Sequence, residues 1–90
     1  MLSFLPPTPN DIQDILKQKI KNRRKELKIT QNELSLRSDV SLGSIKRFES
    51  SGQISLESLL KIAFVLDCLE DFKSICTKKD ILPNSIEELL

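Results

Sequence analysis

The sequence predicts an all-α fold, a small bundle of five helices, and three observations carry that prediction. The 90-residue chain holds two Gly and neither Trp nor Tyr among many Leu, Ile, Lys and Glu, a composition that favours helices over strands. Apolar residues recur at helical spacing along most of its length. Thr, Asn or Ser stands directly before several of these runs, where a side-chain oxygen satisfies the first free backbone N–H groups. A chain this short has room for one domain with one modest core.

The elements follow in order. Residues Met1 to Pro9, with Pro6, Pro7 and Pro9, cannot form a helix interior and read as an extended arm carrying Leu2, Phe4 and Leu5. Asn10 with Gln13 resembles a capping box. Ile12, Ile15, Leu16, Ile20, Arg24 and Leu27 then predict a first helix from about Asp11 to Leu27. Lys28-Ile29 is a link. Thr30 with Glu33 three residues later is a second capping box, opening a helix over Gln31 to Ser38 anchored by Leu34. Ser38-Asp39 supplies turn chemistry, and Ser41 caps a third helix from Leu42 to about Ser50. Ile45, Phe48 and Glu49 share one face of it, which leaves Leu42, Gly43, Ser44, Lys46 and Arg47 outward. Gly52 suits the left-handed conformation that ends helices.

Ser55 caps a fourth helix whose Leu56, Leu59, Leu60, Ala63, Phe64 and Leu66 make a wide apolar stripe. A fifth, from about Glu70 to Ile75, carries Phe72 and Ile75. After a polar link comes a last capped segment with Ile81, Leu82, Ile86, Leu89 and Leu90, more apolar side chains than so small a fold has surface to cover. They are candidates for a dimer or partner interface, with docking on the chain's own core as the plainer alternative. The chain therefore divides into an arm (1–9), a helix-turn-helix domain (10–76) and a C-terminal interaction segment (77–90).

The net charge is +1, yet the charge is unevenly distributed. From Lys17 to Arg47 there are ten basic residues against three acidic ones, whereas Phe48 to Leu90 has four basic against eight acidic. A positive region beside two short capped helices is the electrostatic footprint of nucleic-acid binding, in competition with a simply solvated lysine-rich helix. Cys68 and Cys76 are the only cysteines and there is no His, so no zinc ligand set is present and no metal or cofactor is expected. If one helix continued between them, the two thiols would lie roughly 12 Å apart at 1.5 Å per residue, beyond disulfide reach, and they read as small reduced apolar side chains. No long apolar span occurs, and the N-terminal segment lacks a positive leading region, which points to a cytoplasmic, nucleoid-associated protein without a membrane role.

Arg24, Gln31, Leu34, Val40-Ser41, Ile45 and Glu49, at these spacings, resemble the XRE family of phage-repressor and Cro-like helix-turn-helix proteins over about Ile15 to Leu66. The resemblance implies a lambda-repressor-like five-helix bundle that binds double-stranded DNA, as a homodimer on a pseudo-palindromic operator. It implies that Arg24 and Glu49 form a structural salt bridge and that Gln31 meets a phosphate at the start of the second helix. Ser41, Leu42, Gly43, Ser44, Lys46 and Arg47 correspond to the DNA-facing positions of the recognition helix. Arg47 is the leading base reader, since arginine donates two parallel hydrogen bonds to guanine. Ser44 suits a base or phosphate, Leu42 a thymine methyl, and Gly43 a close approach.

Three positions depart from the family pattern: Asp39 replaces the usual turn glycine, Ser35 the usual alanine, and the loop after the third helix is shortened. That loop, with Val-Ser-Leu-Gly-Ser-Ile-Lys-Arg-Phe-Glu before it and Ile-Ser-Leu-Glu-Ser-Leu-Leu-Lys-Ile-Ala after, looks most like HipB-type antitoxins. These are autorepressors encoded beside HipA-type serine/threonine kinase toxins, so a kinase partner is implied, directly or through a third small protein. Two other readings stand beside it: a protein-interaction module without specific DNA readout, favoured by Asp39 and Gly43, and a phage-type repressor unrelated to toxins. With no His, no phosphate loop and no nucleophile-base pair, an enzyme is not expected.

Overall fold

The computed structural model describes residues 5–77 as four α-helices followed by a 3₁₀ helix. These are α1 (Pro9–Glu26), α2 (Gln31–Ser38), α3 (Leu42–Ser51) and α4 (Leu56–Val65), with the 3₁₀ turn at Leu69–Ser74. No strand occurs among the described residues, and the all-α, lambda-repressor-like bundle read from the sequence is the observed fold. The C-terminal segment with Ile81, Leu82, Ile86, Leu89 and Leu90 lies outside the described residues, as does the start of the arm.

Each α-helix begins where a hydroxyl can accept a hydrogen bond from a free backbone N–H. Thr8, Thr30, Ser41 and Ser55 accept from the N–H groups of Asp11, Glu33, Ser44 and Ser58. The first cap corrects the expected one at Asn10. Thr8 and Asp11 form the reciprocal box at 3.0 and 3.1 Å, and Pro9 takes the first helical position, where its missing N–H costs nothing. Helix α1 therefore begins two residues before the expected Asp11, and the expected pairing of Asn10 with Gln13 does not set the helix start.

The core is one cluster. Leu34, Ile45, Ile62 and Leu66 are its fully enclosed side chains, surrounded by Ile20, Ile29, Val40, Phe48 and Leu59. α1 packs on α3, and α2 packs on both α3 and α4, so the two short helices are held between the long first helix and the fourth. In α4 the buried face is Leu59, Ile62, Ala63 and Leu66 at i, i+3, i+4 and i+7, while Leu56 (68% exposed) and Phe64 (71%) point away. The buried stripe is narrower than the sequence suggests. LLKIAFVL is apolar almost all round, so hydrophobicity alone does not select the buried face, and Ile62, outside the expected stripe, is fully buried.

On α1, Ile12 and Ile15 are exposed and Ile20 is the apolar residue that enters the core. The fifth helix is 3₁₀ rather than α, with no side chain capping its start. Between Cys68 and Cys76 the chain forms the 3₁₀ turn Leu69–Ser74 and then turns extended at Ile75, so no continuous α-helix joins the two thiols and the helical-spacing argument does not apply. Both are free: Cys68 is half-buried against the core, while Cys76 is exposed and not packed as expected. Burial, reinforced by Asp71, pushes the Cys68 thiol up, which disfavours a reactive thiolate.

Candidate nucleic-acid interface

The turn between α2 and α3 is closed by its own side chains. Asp39 takes the left-handed conformation at φ 62°, a region that short polar residues tolerate better than most. The Ser35 hydroxyl donates to the Val40 carbonyl at 2.6 Å, and the Ser38 hydroxyl accepts from the Val40 N–H at 3.2 Å. Ser35, which stands where the family usually has alanine, thus links the end of α2 to the start of α3. Ser41 then caps α3, its hydroxyl accepting from the Ser44 N–H at 3.1 Å and donating to the Ser44 hydroxyl at 2.8 Å.

The inner face of α3 is fixed by packing and by charge. Ile45 and Phe48 enter the core. Arg24 and Glu49, both buried, form a bidentate pair, with Nε–Oε2 at 2.7 Å and Nη2–Oε1 at 3.0 Å. The Arg24 Nη1 donates in addition to the Ile29 carbonyl at 2.9 Å, tying in the link after α1. Gln31 joins this cluster, its Nε2 donating to the Glu49 Oε1 at 2.9 Å. Burial alone would raise the Glu49 pKa, but the hydrogen bonds from Arg24 and Gln31, with the charges of Arg24 and Lys21, hold the carboxyl below its ordinary 4.5. No buried side-chain nitrogen or oxygen among the described residues lacks a partner.

On the opposite face of α3, Ser41, Gly43, Lys46 and Arg47 are exposed, and Leu42 and Ser44 are half-buried. A Cβ built on Gly43 meets nothing within 4 Å, so internal packing does not require glycine there. Arg47 is not loose. Its Nη2 donates to the Gln53 Oε1 at 2.6 Å, and its carbonyl accepts from the hydroxyls of Ser50 and Ser51. Gln53 was not singled out in the sequence, where it appears only as a polar residue after the Gly52 helix stop.

Several members of the basic stretch serve the frame. The Lys17 Nζ donates to the Ser50 carbonyl at 3.4 Å near the end of α3 and pairs with Asp14 at 3.5 Å. Arg23 Nε donates to the Leu66 carbonyl at 2.9 Å and so closes the end of α4. The positive run thus divides between structural ties and surface charge. Among the described residues no group of three or more His, Cys, Asp or Glu side chains gathers as a metal site would need. No helix among them is long and apolar enough to cross a membrane.

A family model described as Helix-turn-helix (HTH_3) matches residues 20–72, from the second half of α1 through the 3₁₀ helix. The chain belongs to the XRE-type helix-turn-helix family. Neither the curated proteins nor the solved structures gave a match. The helix-turn-helix domain is that of a DNA-binding regulator, with α2 and α3 as its two motif helices.

Proposed function

We propose that this protein is a sequence-specific transcriptional repressor that binds a pseudo-palindromic operator as a homodimer and reads each half-site with α3. The observation that carries the reading is the division of α3 into two faces. Its inner face is clamped by Phe48, Ile45 and the buried Arg24–Glu49–Gln31 cluster, whereas Ser41, Gly43, Lys46 and Arg47 stand on the open face. A helix held rigidly from behind with polar and cationic groups in front fits the major groove. Gln31 acts at the phosphate backbone through the α2 N-terminus and the second N–H of its amide, the first being engaged by Glu49.

Binding of the protein to its own upstream DNA, measured across a salt series, tests the reading. Specific binding whose logarithm falls linearly with log salt is expected; weak binding indifferent to sequence at every salt concentration would reject it. Arg47→Ala should relax preference at one base position by about 1–3 kcal/mol, while Gln31→Ala should weaken all sequences alike.

The narrower proposal is that the repressor is the HipB-like antitoxin of an operon that also encodes a HipA-type kinase. It rests on the shortened loop after α3 and the sequence flanking it. Growth arrest caused by the neighbouring kinase gene, relieved when this chain is co-expressed, is the expected result. Absence of such a gene beside it would reject the antitoxin role and leave the repressor standing.

A further inference from the structure

We propose that Gln53 is a positioning residue for Arg47, fixing the guanidinium so that α3 prefers guanine at the base Arg47 meets; the inference rests on the DNA-reading role of α3 proposed above. Gln53 stands outside α3, yet a closed ring of hydrogen bonds joins it to Arg47. The Ser51 hydroxyl donates to the Arg47 carbonyl at 2.7 Å and accepts from the Gln53 N–H at 3.1 Å. The Gln53 Oε1 then accepts from the Arg47 Nη2 at 2.6 Å. The ring fixes both the backbone and the side chain of Gln53 relative to the arginine.

The loop that carries Gln53 is itself held. Gly52 ends α3 at φ 83°, with the Gln13 Cβ only 3.3 Å from where its own Cβ would be, and its carbonyl accepts from the Gln13 Nε2 at 3.4 Å. Ile54 packs against the core on the other side. Gln53 and Arg47 line one wall of a cleft of about 330 Å³ that also takes in Ser44, Ser55 and Ser58, so they share the exposed edge of α3 with another candidate contact.

The chemistry is directional. Arginine only donates, so the glutamine must turn its oxygen to it, and the amide keeps its two N–H donors for another group. Arg47 and Gln53 together therefore present donors alone. In the major groove guanine offers two acceptors, O6 and N7, while adenine and cytosine each present an amino donor. A free arginine samples many rotamers, whereas one held at its Nη2 approaches a base in a restricted set of orientations.

The test is base preference from a randomised half-site library, measured for the parent and for Gln53→Ala, Gln53→Glu, Arg47→Ala and the Arg47→Ala/Gln53→Ala double variant. Parent preference for guanine at the position lost in Arg47→Ala establishes the reader. Gln53→Ala should lower that preference at the same position by roughly tenfold, equivalent to about 1.4 kcal/mol, and should add little to Arg47→Ala. Gln53→Glu keeps the acceptor and should restore the guanine preference while weakening overall affinity through its negative charge. A uniform loss of affinity in Gln53→Ala, lost preference at a different base, or tighter binding that shows Gln53 holding Arg47 away from DNA would each overturn the assignment.

Arg47 side-chain ¹⁵Nε relaxation in the free protein is a second readout, independent of DNA. Order should fall in Gln53→Ala and return in Gln53→Glu; unchanged order overturns the inference even if the parent reads DNA. A parent without base preference rejects the reader, and with it the guanine role of Gln53.

Discussion

Arg24 and Glu49 show what a single side chain contributes to this frame. Because their charges are buried and fully hydrogen-bonded, removing one partner strands the other in a poorly solvated place. Arg24→Ala should cost about 3–5 kcal/mol in denaturant unfolding, far more than Arg37→Ala, whose pair with Glu33 is an exposed contact at 4.0 Å. The same cluster sets a pH dependence. The Glu49 carboxyl is depressed in the folded state, so its contribution is complete above the ordinary value of 4.5 and is lost as pH falls from there through its lower folded value. Unfolding free energy should therefore decline on acidification below pH 4.5, and Glu49→Gln should reduce that slope by up to about 1.4 kcal/mol per pH unit, the limit for one proton. An equal acid slope in the variant would show that Glu49 is not the group involved. The pairing of Arg24 with Glu49 was legible in the sequence only through the family resemblance. The Gln31–Glu49 bond was not, because Gln31 resembles a phosphate contact and nothing in its spacing states that its amide also faces inward.

Helix ends were the most legible elements where a hydroxyl stood alone before an apolar run, and less so where proline intervened. Thr30, Ser41 and Ser55 are caps at the expected positions, but the Thr8 cap is masked in the sequence by three nearby prolines that suggest an extended arm, although Pro9 occupies the one helical position it suits. The helix stops are positions of backbone strain, and substitutions there separate stability from binding. Gly52→Ala forces a β-carbon into the left-handed region and against Gln13, so it should destabilise by about 1–2 kcal/mol. Asp39→Gly should do the reverse, stabilising by up to about 1 kcal/mol and removing a negative charge beside the motif. If Asp39 lies near phosphate, the same change raises DNA affinity; thermal unfolding and binding isotherms measured on one variant resolve the two effects. Gly43 provides the converse case. It sits in the first turn of α3 in open space, so Gly43→Ala should stabilise by no more than about 0.5–1 kcal/mol, and a loss of DNA affinity despite that gain would mark a close approach of the groove to α3.

The basic residues of α1 do not form a uniform patch, since Lys17, Arg23 and Arg24 are engaged in closing helix ends or in the buried pair. The positive run was therefore a correct sign of where charge gathers along the chain and a poor guide to which residues remain available for DNA. With five of the ten basic residues from Lys17 to Arg47 engaged by other groups, one copy makes fewer phosphate contacts than its charge suggests, and a single domain should bind a half-site weakly. For the proposed homodimer, operator occupancy then depends on two copies binding together, because the second half-site is engaged at high effective concentration once the first is held. In the proposed homodimer, two α3 helices related by a two-fold axis would meet successive major grooves about 34–36 Å apart, so half-site centres should be separated by about 10–10.5 base pairs. Inserting five base pairs between the half-sites turns one groove to the opposite side of the duplex and should reduce binding to that of a single half-site. Gel-shift titration of the two operators should show one slow-migrating complex on the native spacing and a weak, non-cooperative pattern on the insertion. Equal affinity for both would mean that each copy binds alone, and the homodimer would have to be abandoned.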